Sequence, residues 1–151
     1  MSATARLKEL GLELPPVVPP VAVYVPAIRT GSLVYTSGQL PMAAGAMAQT
    51  GLVGGPVTPD QAKELARTCA LNALAAIDDL VGLDSITRVV KVVGFVASAP
   101  GFTGQPGVVN GASELLGEIF GDAGRHARSA VGVAALPLDA PVEVELIVEV
   151  A

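Results

Sequence analysis

Two kinds of charged side chain near the end of the sequence are equipped to do chemistry. Arg128 stands near the start of a run of small and β-branched residues, HARSAVGVAALP (126–137). A guanidinium keeps its proton, and taking it out of water without a partner is costly. Glu143, Glu145 and Glu149 alternate with apolar residues in VEVELIVEV (142–150), a spacing that places all three on one side of a strand. A guanidinium can hold a planar carboxylate through two parallel charge-assisted hydrogen bonds. A carboxylate at bonding distance can accept a proton. His126 is the only histidine and Cys69 the only cysteine, so neither a zinc site nor an intrachain disulfide is expected. Cys69 reads as a buried structural thiol on a helix. His126, beside Arg125 and Arg128, reads as a surface or interface hydrogen-bond donor rather than a catalyst.

The elements that must position these residues follow from local pattern. VAVYVPAIRTGSLVYTSGQLP (21–41) reads as two strands turning near Thr30-Gly31-Ser32. The Gly- and Ala-rich stretch 41–57 reads as a flexible loop followed by a short strand near Gly51–Val53. The clearest helix begins at Thr58, with Pro59 at its first position and Gln61 completing a capping box. Its apolar residues recur at helical spacing until Gly82 closes it. A β-branched strand (SITRVVKVVGFVAS) follows, then a Gly/Pro loop leading into a shorter helix over 108–120. The final two strands are HARSAVGVA and VEVELIVEV. Residues 1–20, ending in LPPVVPP, are expected to form an extended, polyproline-like arm, and residues 21–151 a single domain. This order predicts an α+β fold with one sheet and both helices on one face.

Composition limits the partners. The chain has 151 residues, a net charge of −5 and 51% hydrophobic residues, with mean hydropathy +0.58. That suffices for a core and, with 15% charged residues, favours oligomerisation. No apolar run is long enough to span a bilayer. The charged N-terminus lacks the apolar core of a signal peptide, so a soluble cytoplasmic protein is expected. The acidic balance, the missing basic stripe and the scarcity of aromatics argue against nucleic acid as a partner.

Strand alternation then assigns faces. In the last strand Val142, Val144, Leu146, Val148 and Val150 are expected on the helices, with the glutamates on the open face of the sheet. In the preceding strand the bulkier set, Ala127, Ser129, Val131 and Val133, is assigned to the helices. Arg128, Ala130 and Gly132 then share the open face with the glutamates. If these two strands form a hairpin, Arg128 lies near Glu149, and Glu143 is about six residues away, roughly 20 Å. The two could then reach one small ligand only across a subunit interface.

Three segments in register carry a resemblance. YTSGQLP (35–41), HARSAVGVAALP and VEVE (142–145) resemble the reactive intermediate deaminase A family, also called YjgF or endoribonuclease L-PSP, over about residues 20–151. The resemblance implies a chorismate-mutase-like α+β fold. It further implies a homotrimer with its sheets facing inward and three ligand clefts between subunits. It implies hydrolysis of reactive enamines and imines such as 2-aminoacrylate to 2-oxo acids and ammonia, with no metal or organic cofactor. Position by position, Arg128 matches the arginine that grips the substrate carboxylate, and Glu143 the glutamate that orients or activates water. Tyr24 matches a tyrosine lining the pocket from the first strand. Gly38 and Ala130 match positions presenting backbone groups to the ligand, and Asn110 matches the pocket asparagine just before or within the second helix.

The sequence departs from the common pattern in ways that mark a divergent branch. Ala130 replaces a frequent cysteine, Ser113 replaces an aromatic, GRHARS replaces the usual proline, and the loop around GFTGQPG is longer. Plainer readings stand beside the implied ones. Arg128 can pair with a glutamate at an interface, the glutamates can be a solvated face, Tyr24 can be packing, and Asn110 can cap a helix. Two alternatives to the deaminase share its residues: a non-catalytic small-carboxylate binding module and an endoribonuclease.

Overall fold

Alternation and capping place the elements much as the local patterns require, in a computed structural model that describes residues 1–17, 19–20 and 22–151. Strands β1 (Ala27–Thr30) and β2 (Leu33–Thr36) turn at Gly31, whose φ of 58° suits glycine. A small hairpin, β3 (Met42–Ala43) and β4 (Ala46–Met47), occupies the stretch expected to be a flexible loop. Helix α2 (Pro59–Val81) starts as expected. Thr58 Oγ1 accepts from the Gln61 N–H at 3.2 Å, and Gln61 Oε1 accepts from the Thr58 N–H at 3.0 Å. Strand β5 (Ile86–Ala97), helix α3 (Gln105–Phe120), strand β6 (Ala127–Val133) and strand β7 (Val142–Val150) complete the domain. The expected strand near Gly51–Val53 is reduced to single bridges from Val53 to Val57 and to Ser98.

The arm is not extended throughout. Ala3–Glu9 form a helix, α1, because Ser2 caps it by accepting from the Ala5 N–H. Leu7 is buried against the core, and the Arg6 Nε–H donates to the Glu118 carbonyl of α3 at 2.8 Å. The prolines extend the chain only after this helix.

The five-stranded sheet runs β1-β2-β7-β5-β6. β7 is antiparallel to both β2 and β5, whereas β6 is parallel to β5. A parallel pair needs a crossover, and α3 supplies it. The expected hairpin of the last two strands is therefore overturned. β7 crosses back to the middle of the sheet, where its valines are covered by helices, and β6 is left at the edge.

This topology corrects the face of Arg128. The side of the sheet under the helices carries Val142, Val144, Leu146, Val148 and Val150 of β7 and Val89, Val92 and Val96 of β5, all buried. In register across β5, Val92 pairs with Arg128, Gly94 with Ala130 and Val96 with Gly132. Arg128, Ala130 and Gly132 thus lie on the helix side, and Val131, 43% exposed, lies on the open side. Bulk misassigned the strand. Where α3 lies over β6 and the end of β5, only small residues fit. A Cβ on Gly94 would run into Val109 of α3, and one on Gly132 into Gln105 at its start. The open face is itself apolar in part, with Ile28 and Tyr35 exposed beside the glutamates.

Cys69 is fully buried on α2, where its thiol lies 3.7 Å from the Val142 carbonyl. Burial first, then the nearby Glu143 carboxylate, pushes its thiol well above the usual range. It is a packing residue, as expected.

Candidate functional site

The six candidate residues divide into two groups of three. Asn110 on α3, Arg128 and Ala130 on β6 form one; Tyr24, Gly38 and Glu143 form the other.

In the first group the Arg128 Nη1–H donates to Asn110 Oδ1 at 2.7 Å and to Ser113 Oγ at 3.3 Å. Asn110 and Ser113 lie three residues apart on α3 and so share a face. Asn110 is inside the helix, not its cap; Gly104 holds the N-cap position without a side-chain bond. No carboxylate lies within ion-pair distance of Arg128 among the described residues. Its Nε–Nη2 edge has no acceptor among them either. That edge is the fork by which a guanidinium takes a carboxylate side-on. Ala130 lies one step along the same face, half-buried, and narrows nothing.

The second group lines a cavity of about 340 Å³ bounded by the proline-rich segment after α1, the loop after β2 and the turn before β7. Glu143 is on the open-face side of β7. Its carboxyl folds over Gly38, where a Cβ would collide with it. The loop carrying Gly38 is fixed at both sides. Gln39 exchanges backbone bonds with Val144 at 2.8 and 3.0 Å, and the Asn72 amide of α2 donates to the Leu40 and Met42 carbonyls at 2.9 Å each. Tyr24 is not on the first strand but three residues before it, 59% exposed at the cavity mouth. Ser37 holds that segment by donating to the Val25 carbonyl at 2.6 Å. Pro16, Val17, Pro19 and Pro20 wall the cavity, a role that no signal in the sequence beyond their apolar character announces.

Burial, and secondarily the like charge of Glu145, raises the Glu143 carboxyl above its usual range. A raised carboxyl is better suited to take and return a proton than one at its ordinary pKa. The folded state then binds its proton more tightly than the unfolded chain. Its burial cost is absent below the ordinary carboxylate pKa and fully present above the raised one. Glu143→Gln is accordingly expected to raise the melting temperature at pH 7. The gain should vanish as the pH falls below about 4.5, which paired melting curves across pH 4–8 would check.

Gly38→Ala is expected to push the Glu143 carboxyl out of the cavity while leaving the fold intact, since the obstructing atoms are the end of a flexible side chain. A Glu143 titration returned towards the ordinary range, read by carboxyl NMR, with melting at pH 7 no lower than that of the wild type, is the expected result.

Arg128 and Glu143 do not meet within the chain. They lie on opposite faces of the sheet, with β5 between them and three residues of offset between Val92 and Phe95. In-plane separation alone is about 14 Å at ordinary strand spacing and rise. The hairpin, the shared face and the spacing of roughly 20 Å expected from it are all replaced by this arrangement.

The sequence profile of the family described as Endoribonuclease L-PSP matches residues 16–150, a span that contains all six residues. The chain belongs to the endoribonuclease L-PSP family. Among curated proteins it is similar to Protein TCP17 of Trypanosoma cruzi, 44% identical over 147 residues, covering 96% of this chain and 92% of that protein. Among solved structures it is similar to Atu1372 of Agrobacterium tumefaciens, a protein described as of unknown function. They share 48% identity with a TM-score of 0.91, over 99% of this chain and 92% of the other. It is also similar to a candidate endoribonuclease of Shewanella oneidensis MR-1, at 33% identity and a TM-score of 0.95, over 99% and 100% of the two chains. The L-PSP architecture, a mixed sheet under two helices, is the one described above. In the sequence Ser113 stands out only as the replacement of an aromatic, and His126 only as a surface or interface donor. The spacing of Asn110 and Ser113, three residues apart and so on one face of the helix, was the available signal for their link to Arg128.

Proposed function

We propose that this L-PSP family member hydrolyses reactive enamine and imine acids of the 2-aminoacrylate type to 2-oxo acids and ammonia, in a cleft closed between copies of the chain. The observation that carries this reading is the complementarity of the two groups. One presents a cation with an open bidentate edge and, among the described residues, no carboxylate of its own. The other presents a carboxyl of raised proton affinity in an apolar cavity. Each lacks what the other has, and one chain cannot bring them together. A homotrimer, as the family resemblance implies, would set the Arg128 group of one copy against the Glu143 group of the next, with the partly apolar open faces turned inward.

The chemistry balances without a cofactor. The substrate carboxylate binds the Nε–Nη2 edge of Arg128, which orients the adjacent C–N bond. The enamine takes a proton on carbon and gives the imine. Glu143 accepts a proton from water as its oxygen attacks the imine carbon, and returns it to nitrogen as ammonia leaves; the hydroxyl proton released as C=O forms goes to solvent and replaces the one the enamine carbon took from it. 2-Aminoacrylate plus water thus yields pyruvate plus ammonia. Gly38 keeps the carboxyl in place, and Tyr24 with the proline wall limits bulk water. The apolar lining supports substrates with an apolar side chain.

The test couples the protein to a serine or threonine dehydratase and follows 2-oxo acid release with and without a trapping amine. Release should accelerate, and Glu143→Gln should slow it. The acid limb of the pH profile should lie above pH 4.5, because the base must be ionised and its pKa is raised. No acceleration by a protein that still binds 2-oxo acids would instead identify a carboxylate-binding module.

A further inference from the structure

We infer that Ser113 and His126 are positioning residues, joined in a one-directional hydrogen-bond relay that holds Arg128 in its carboxylate-accepting orientation; this rests on the reading of Arg128 given above.

His126 lies just before β6, with Nδ1 2.6 Å from the Gly124 carbonyl and Nε2 2.9 Å from Ser113 Oγ. A carbonyl only accepts, so the ring hydrogen is on Nδ1. The other nitrogen of a neutral ring is then an acceptor, and the Ser113 hydroxyl donates to it. The lone pairs of Ser113 Oγ are left for the Arg128 Nη1–H at 3.3 Å, the same nitrogen that donates to Asn110. The relay runs from Arg128 through Ser113 and His126 to Gly124 with each group used in one sense. A doubly protonated ring would reverse the middle bond. Ser113 Oγ would then face two donors, beside a second positive charge.

Both supports of the relay are tied to α3. Ser113 is on the helix, and Gly124 is packed so closely on the Leu116 carbonyl that a Cβ has no room. It therefore anchors Nη1 to a rigid element using neutral groups only. Two consequences follow for Arg128. Its charge stays uncompensated, and its unanchored edge is the one turned to the ligand. An aspartate or glutamate at position 113 would hold the guanidinium equally well and neutralise it.

The chain has one histidine, so its ring nitrogens can be read without ambiguity by long-range proton–nitrogen NMR on protein labelled at histidine. At pH 7.5 the pattern of a neutral ring with hydrogen on Nδ1 is expected, and pyruvate is expected to shift both nitrogens as it binds. Ser113→Ala should weaken pyruvate binding about tenfold and abolish the shifts. In turnover it should raise KM by a similar factor and leave kcat within about twofold. Ser113→Thr, which keeps the hydroxyl, should restore both, and His126→Ala should behave as Ser113→Ala does. A ring with hydrogen on Nε2, a doubly protonated ring, or unchanged pyruvate affinity in Ser113→Ala would overturn the inference. Failure of the wild-type protein to bind pyruvate would overturn this inference and the reading of Arg128 together. Pyruvate binding with the predicted histidine response but no imine turnover would leave the relay standing and remove the deaminase.

Discussion

Arg128→Ala is expected to lower kcat/KM for 2-aminoacrylate by about thirtyfold or more while leaving the melting temperature nearly unchanged. Truncating one partner of a hydrogen-bonded charge pair costs about 2–5 kcal/mol, and each 1.4 kcal/mol is tenfold. The stability half of the prediction comes from the same geometry. Arg128 is half-buried with no carboxylate partner among the described residues, so its removal deletes an uncompensated charge along with two hydrogen bonds. A residue that stabilised the fold would behave oppositely. Arg128→Lys should recover little, because an ammonium cannot bond Asn110 and Ser113 and still offer a fork to the substrate. Continuous 2-oxo acid release beside thermal melts decides the matter. Activity within threefold of wild type, or a large fall in stability with proportionate loss of activity, would show Arg128 to be structural.

Gly111→Ala should lower stability by about 2–3 kcal/mol. Gly111 is in the middle of α3, where helices usually gain from alanine. Here α3 presses against α2 so closely that the new Cβ would strike the Lys63 carbonyl, a backbone atom that cannot rotate away. The helices must separate. At about 2–4 °C per kcal/mol for a chain of this size, the melting temperature should fall by roughly 4–12 °C, compared at equal protein concentration. Gly107→Ala, on the same helix with nothing within 4 Å of its added Cβ, is the control and should be neutral or stabilising. Equal behaviour of the two variants would mean that α2 and α3 are not in the contact described.

The contrast between these glycines shows what a linear reading contains. Helix α2 was legible because its signals are local: Thr58, Pro59 and Gln61 settle the start among themselves, and the apolar period needs only to know which way the core lies. The valine side of β7 was legible for the same reason. The two polypeptide faces of β6 were not. Arg128, Ala130 and Gly132 look like residues beside open space, and Val131 and Val133 look like core. Which is true depends on a helix that arrives from elsewhere and leaves no room for bulk over the edge strand. The proline segment likewise carries no mark of the cavity it walls.

The sequence by itself determined the order of the main strands and the two long helices, the α+β class and the family, because capping, alternation and motif residues act over a few neighbours. Only the tertiary structure decided that β7 inserts between β2 and β5 rather than pairing with β6. Only it put Arg128 and Glu143 on opposite faces, and Ser113 and His126 behind the guanidinium. The physical reason is that strand partners and helix contacts are chosen by burial summed over the whole sheet. A central strand can bury its valines under two helices and satisfy both edges at once, and no stretch of nine residues records which neighbours will do that for it.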